Sequence, residues 1–306
     1  MIVIDKPAGI PVHPAGRYNY NSVIEIMRTE RGLGFKPLPC NRLDRLTSGV
    51  MFIAKHAKAA EQLTIQMMKR TIRKEYIARV IGRFPDGVVE CDRPILQVSP
   101  KLGLNRVRAT GKSAKTYFER ISYHASESEQ ERAEGRPGLL SSTAPRLADP
   151  LSDVSSLNSR SKVGYSIVRC RPQTGRTHQL RVHLQYLGHP IVNDPIYCNL
   201  SVWGDSLGEA DSGSDRDGDV ISRLSRMGKD QVADAIAYHD EEVERYQIKK
   251  AEKLSGELCG ICQTPLYTDP GPQELGIFLH ARRYSCTEGD WAYETGLPDW
   301  ACPPSG

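Results

Sequence analysis

The residues best suited to chemistry fall into two clusters. The first is Asn41-Arg42-Leu43-Asp44-Arg45-Leu46-Thr47-Ser48-Gly49, a polar loop leading into the apolar run Val50-Met51-Phe52-Ile53. A nucleophilic aspartate must stay ionised, and a close guanidinium favours that form, so a carboxylate between two arginines at a strand's entry suits such work. An isolated Arg–Asp loop is more often a surface ion pair of little energetic weight, so this loop decides nothing by itself. The second cluster runs from Gln173 through Thr174-Gly175-Arg176-Thr177-His178-Gln179-Leu180-Arg181-Val182-His183 to Gly188-His189-Pro190. On a helix, His178, Arg181 and Gln185 share one face, while Leu180, Leu184 and Leu187 form an apolar stripe. Two arginines and two histidines within eight residues favour an anion-facing helix, and its positive dipole end lies near Arg176 and Arg181. A third feature is Lys74-Glu75-Tyr76-Ile77-Ala78-Arg79-Val80. A tyrosine on such a strand, taken alone, is a core residue with a satisfied hydroxyl.

The elements that must position these groups follow from periodicity and composition. Met1–Asp5 is a short strand that breaks at Lys6-Pro7-Ala8-Gly9, and Asn21–Arg31 has helical spacing. Val50–Ala54 reads as a strand and Ala57–Lys69 as a helix. Glu75–Ile81, Lys115–Tyr123 and Val163–Arg171 are further strands, rich in aromatic and β-branched residues. Thr177–Leu187 reads as a helix, with Thr177 as its cap and Gly188 beyond its end. Gly276–Tyr284 reads as a strand that returns to the core.

Two stretches differ in character. Residues 124–162 carry Ser, Pro and charge with no aromatic residue, which predicts a disordered-like insertion whose 128–160 portion is dispensable. Residues 204–256 are acidic and predict a second insertion, helical near Val232–Lys253. Residues 257–306 form a tail that completes the core. The reading is one catalytic domain over 1–306, with an α+β fold.

The 306 residues carry a net charge of +4, spread unevenly. Residues 1–123 hold 22 Lys and Arg against 10 Asp and Glu, whereas residues 204–306 hold 10 against 20. A basic amino-terminal half suits a phosphate backbone. No apolar run approaches the roughly 18 residues of a membrane span, and Met1 leads into MIVIDKPAG without the basic start of a signal peptide. Eight scattered cysteines lack disulfide-framework spacing, which predicts a reducing compartment. Cytoplasm, mitochondrion or nucleus all fit. Cys259, Cys262, His280 and Cys286 could in principle form a four-ligand zinc site, but the irregular spacing argues against a metal.

Taken together, the motifs resemble those of the RluA-type pseudouridine synthases. DKPAGIPVHP at 5–14 is similar to the family's opening motif, and NRLDRLTSG at 41–49 to its catalytic loop. KEYIARVIG at 74–82 resembles its tyrosine-bearing strand, and GRTHQLRVHLQYLGHPIVNDPIY at 175–197 its arginine-bearing helix. LHARRY at 279–284 resembles the segment that closes its core. Within the family, HPAGRYNYNS at 13–22 and the tail from LYTDP to WAYETGLPDWA look like the eukaryotic branch that modifies position 32 of the tRNA anticodon stem-loop. Two departures are visible. The usual histidine before Arg-Leu-Asp is Asn41, and the chain begins at the first motif, which predicts weaker RNA affinity than in members with an S4-like module upstream.

The resemblance implies a pseudouridine synthase fold: a mixed, largely antiparallel bent sheet flanked by helices, with polar insertions. It implies Asp44 as nucleophile, Arg181 as its partner, and Tyr76 as the residue that stacks on the target base and assists proton removal. Arg42 would fill the space left by the flipped nucleotide, and Arg45, Lys74, Arg176 and His178 would contact RNA. No cofactor is implied, and the expected partner is RNA, tRNA foremost, bound by a monomer. The alternatives are a catalytically idle RNA-binding or chaperone protein on this fold and a ribosomal-RNA-directed synthase.

Overall fold

The computed structural model describes residues 1–14, 20–32, 34–126, 129, 164–226, 254–258, 260, 263, 265–267 and 276–302. The β-branched and aromatic runs form strands. In chain order these are β1 (Ile2–Lys6), β2 (Leu38–Pro39), β3 (Ser48–Ala54), β4 (Ile72–Ile81), β5 (Val88–Asp92), β6 (Ile95–Ser99), β7 (Leu104–Val107), β8 (Lys115–His124), β9 (Tyr165–Pro172), β10 (Leu254–Leu258), β11 (Pro265–Tyr267), β12 (Leu279–Cys286) and β13 (Ala292–Glu294). The main helices are α1 (Val23–Arg31), α2 (Ala57–Met68) and α3 (Gln179–Tyr186). A nine-stranded sheet runs β1-β3-β12-β4-β9-β8-β5, with β2 added to β3 and β13 to β12. β6–β7 and β10–β11 form separate hairpins. The fold is α+β.

Every pairing in the large sheet is antiparallel except β3 with β12, which meet only at His280–Ser48 and Ala281–Gly49. That junction requires a glycine. Gly49 has φ +115°, and a Cβ there would collide with the backbone of Ala281. The tail strand therefore locks the loop that carries Asp44, and β3 starts at Ser48 rather than Val50.

Alternate residues of β4 divide the sheet into two faces. Ala78 and Val80 meet Leu180 and Leu184 of α3 in one core cluster, with Phe118 and Val168. A second cluster joins Val50–Ile53 of β3 to Val23, Met27 and Leu63 of α1 and α2. On the far side of α3, Val182 packs with Leu104, Tyr197, Val202 and Trp203. Thus α3 lies between the sheet and a second layer, and every residue from Gln179 to Gln185 is buried. The expected anion-facing side of this helix is turned inward rather than to solvent, with β7 packed against the helix.

Packing also continues past residue 204. Helical residues 217–226 bring Val220 against Trp203, and Asp211 and Asp217 pair with Arg106 and Arg108 beside β7. The first part of the expected acidic insertion thus contributes to the core. The predicted helix at Val232–Lys253 and most of 124–162 lie outside the described residues.

Candidate active site

The Asp44 loop is held by its backbone. Leu43 is buried in the β3 cluster, and Asn41 Oδ1 accepts the Phe52 N–H at 2.8 Å. The carbonyls of Asp44, Arg45 and Leu46 accept from Thr47, Gly9 and Ile277. Lys6, fully buried, donates from Nζ to Pro7 O at 2.7 Å, Ile10 O at 2.8 Å and Arg45 O at 3.3 Å. Burial pushes the Lys6 ammonium down to about 8, with Asp44 working against that shift. The opening motif thereby acquires a physical purpose: its lysine ties three carbonyls together beneath the loop.

Above the loop sits Arg181. Its Nη1 donates to Asp44 Oδ2 at 3.2 Å, while Nε and Nη2 form a two-pronged bond to Asp194, at 2.7 and 3.0 Å. Burial disfavours the guanidinium charge, but Asp194 and then Asp44 outweigh it and hold Arg181 more firmly protonated than usual. The sequence pointed to Asp44 as the partner of Arg181, whereas most of the fork belongs to Asp194. Asp194 is fully enclosed and also accepts the N–H groups of Ile196 and Tyr197, each at 3.0 Å. Its carboxylate is spent on structure. Asp44 keeps about a third of its side chain exposed to the adjoining cavity.

His178 completes a ring of contacts. It precedes α3 in the left-handed region at φ 57°, the place expected for the Thr177 cap one residue earlier. Gln179 takes over part of the capping task, accepting from Arg176 N–H at 3.0 Å and from the Thr174 hydroxyl at 2.7 Å. Tyr197 Oη accepts the Asn105 N–H at 3.0 Å, which leaves its own hydrogen for His178 Nδ1, also at 3.0 Å. By that bonding pattern His178 carries its hydrogen on Nε2, 3.6 Å from Asp44 Oδ2. Burial, then the Arg181 charge, lower the affinity of His178 for a second proton, and Asp44 and Asp194 only partly offset them. The balance favours the neutral ring.

Tyr76 faces the same space from β4, and its hydroxyl lies 2.5 Å from that of Tyr284 on β12. Burial raises the Tyr76 hydroxyl well above its ordinary value, and Tyr284 and Asp44 push it further in that direction. Burial likewise lowers the ammonium of Lys74. A cavity of about 430 Å³ is lined by Arg42, Asp44, Lys74, Tyr76, Arg176, His178 and Arg181, together with Thr47 and Tyr284. That volume suits a small ligand or one extruded nucleotide. Seven of the eight residues singled out from sequence therefore share one space. Arg45 does not line it, and contributes its carbonyl instead.

Four residues of the site escaped the sequence reading: Lys6, Asp194, Tyr197 and Tyr284. All four stood inside quoted motifs, so the signal was their presence there, without a role attached. His183, by contrast, is no anion ligand. Its ring nitrogens are bonded to the Thr116 hydroxyl at 3.0 Å and Arg93 O at 2.9 Å, and burial lowers its pKa to about 4. His280 is similarly occupied, by Ser48 at 2.8 Å and Thr295 at 2.6 Å. Its zinc-site companions Cys259 and Cys262 lie outside the described residues.

An α+β sheet thus presents an open aspartate to a basic, tyrosine-flanked cavity. The family model described as RNA pseudouridylate synthase matches residues 1–186, and the chain belongs to that family. Among curated relatives, the mitochondrial tRNA pseudouridine(32) synthase of Saccharomyces cerevisiae is 41% identical over 98% of this chain and 57% of its own length. The pseudouridylate synthase RPUSD2 of Mus musculus is 36% identical over 98% of this chain and 55% of its own. The chain thus spans about half the length of these relatives. The solved structure of Human RNA Pseudouridylate Synthase Domain Containing 4 shares the fold, with a TM-score of 0.52 at 20% identity, covering 98% of this chain and 86% of that one.

Proposed function

We propose that this chain isomerises a uridine in RNA to pseudouridine, with Asp44 as the nucleophile and the tRNA anticodon stem-loop as substrate. The observation that carries the proposal is the asymmetric use of Arg181, which spends two nitrogens on an enclosed Asp194 and presents a third to an open Asp44. Asp44 assists cleavage of the C1′–N1 bond, after which the free uracil turns within the cavity and rejoins through C5. The target must first leave its stack, and Arg42, exposed at the cavity, is placed to fill the gap. Tyr76 stacks on the base. Its hydroxyl, bonded to Tyr284, assists the late removal of the C5 proton, taking it as its own passes to Tyr284. Lys74 and Arg176 meet phosphates. The reaction breaks and makes bonds within one substrate and calls for no cofactor.

The tRNA assignment is supported by the motif resemblance and by the likeness to the yeast mitochondrial tRNA pseudouridine(32) synthase, which also makes the mitochondrion, alongside the cytoplasm, the compartment to test. No helix among the described residues is long and apolar enough to cross a membrane. Incubating the protein with separate tRNA and ribosomal RNA transcripts, then mapping pseudouridine by carbodiimide-dependent primer stops, tests the assignment. A stop in an anticodon loop supports it. Stops confined to ribosomal RNA would overturn the substrate while leaving the reaction standing.

A further inference from the structure

A second cavity, of about 600 Å³, opens around the ends of β4, β9 and β12. Its lining includes Arg70, Arg73, Lys74, Arg171 and Arg283, with Glu75 as the one acid. Glu75 is already engaged, 3.6 Å from Arg169. Arg70, Arg73, Lys74 and Arg283 have no ion pair among the described residues, and the three arginines of that set are exposed. Solvated arginines on adjacent elements repel one another unless an anion joins them. Arg70 adds a separate observation. It follows α2 with φ 59°, at a position that helices usually give to glycine, so an arginine there does not serve the helix end.

The register shows how this groove relates to the Asp44 cavity. Lys74 pairs with Tyr284 and Glu75 with Arg283, and successive residues point to opposite faces. Arg73, Glu75 and Arg283 therefore face away from Tyr76, while Lys74 faces with it. Lys74 and Pro172 line both cavities, so the groove is continuous with the site around the strand ends.

We propose that this groove binds the phosphodiester backbone of the RNA strand flanking the target uridine, with Lys74 as the shared cation between the two sites. The inference rests on the RNA substrate proposed above and extends the contact surface to the opposite face of the sheet. Backbone phosphates match the features seen: several unpaired cations, one engaged acid and no built pocket for a base.

The test uses the full chain with Arg70, Arg73 and Arg283 all changed to Gln, and a second variant with the same three changed to Lys. Binding of a tRNA transcript is measured as a function of salt, and isomerisation at varied RNA concentration. The Gln variant should raise KM by roughly tenfold, keep kcat at saturating RNA, and reduce the slope of log Kd against log salt by about 2 to 3. The Lys variant should restore most of the affinity, which a merely structural defect would not allow. An unchanged slope and KM in the Gln variant, with wild type active, overturns the groove. A reduced slope with no pseudouridine formed by wild type keeps the groove and removes the isomerase reading.

Discussion

At one end of α3, Arg181 grips Asp194 with two nitrogens and touches Asp44 with a third; beside β7, Arg106 and Arg108 grip Asp211 and Asp217. The ingredients are the same, arginine and aspartate, largely buried. In the second cluster both carboxylates are mostly covered, at 13% and 18% exposed, and both are turned onto guanidinium groups. Arg106 also stacks 4.7 Å from the Trp203 ring. That cluster fastens residues 211–217 to the β6–β7 hairpin and lies away from the lining of the Asp44 cavity. In the first cluster the carboxylates have split their duties. Asp194 satisfies the arginine and two backbone N–H groups, and this frees Asp44 to keep open lone pairs towards a cavity. Ion pairing alone marks neither cluster as functional. The difference lies in which carboxylate is left with unused acceptor capacity and space in front of it.

Four substitutions probe that difference, from the largest effect to the smallest. Asp44→Asn keeps the shape of the side chain and one contact to Arg181, so folding and RNA binding should survive. Turnover should fall by a thousandfold or more, about 4 kcal/mol of barrier. Asp194→Ala should act on stability first. It strands a buried guanidinium, which costs about 3–5 kcal/mol, and denaturant melts should show the loss even without RNA. Activity should drop with it, because Arg181 is then free to swing onto Asp44. Arg181→Lys replaces a planar fork that serves two carboxylates with a point charge. Rate should fall on the order of a hundredfold, with a modest change in RNA affinity. Retention of most of the rate would make Arg176 the better candidate for the partner of Asp44.

Asp217→Asn is the control on the other side of the comparison. It should cost about 2 kcal/mol of stability and leave the rate per folded molecule unchanged. Its pH dependence has a definite sign. Burial would raise the Asp217 carboxyl, but hydrogen bonds and charge from Arg108 and Arg106 outweigh it and hold it below its ordinary 3.8. A carboxyl held low in the fold stabilises above the unfolded value, and that contribution is lost as pH falls through the folded one. Acid melts should therefore show the full gap between wild type and Asp217→Asn above pH about 4, closing only as pH falls through the lower folded value.

What could be read from sequence follows the range of the interactions. β8 and β9 were legible within one or two residues and β4 within three, because side-chain alternation and β-branched content are local properties. Leu180 and Leu184 were legible as core for the same reason. The start of β3 at Ser48 was not, since it depends on a partner strand more than two hundred residues away. The hairpin β6–β7 gave no signal, because its four-residue β7 buries Asn105 and Arg106 where an apolar pair would be expected. For the site, Asp44 and Arg181 drew notice by residue type and spacing, whereas Tyr76 read alone as a core tyrosine and was singled out only through the motif resemblance. Lys6 and Asp194 did not, although both lay in the motifs. A buried lysine capped by three carbonyls and an aspartate that completes an arginine's fork become visible only once the loops that meet there are in place.

If Asp44 is the open carboxylate that attacks the target nucleotide, release of tritium reports its loss at once. Isomerisation through C5 must expel the hydrogen on that carbon, so a tRNA transcript made with 5-tritiated uridine reports each turnover. Wild type should liberate tritium to the extent of one uridine per anticodon stem-loop. Asp44→Asn, folded and binding the same transcript, should liberate none above background. Comparable release by both proteins would contradict the account.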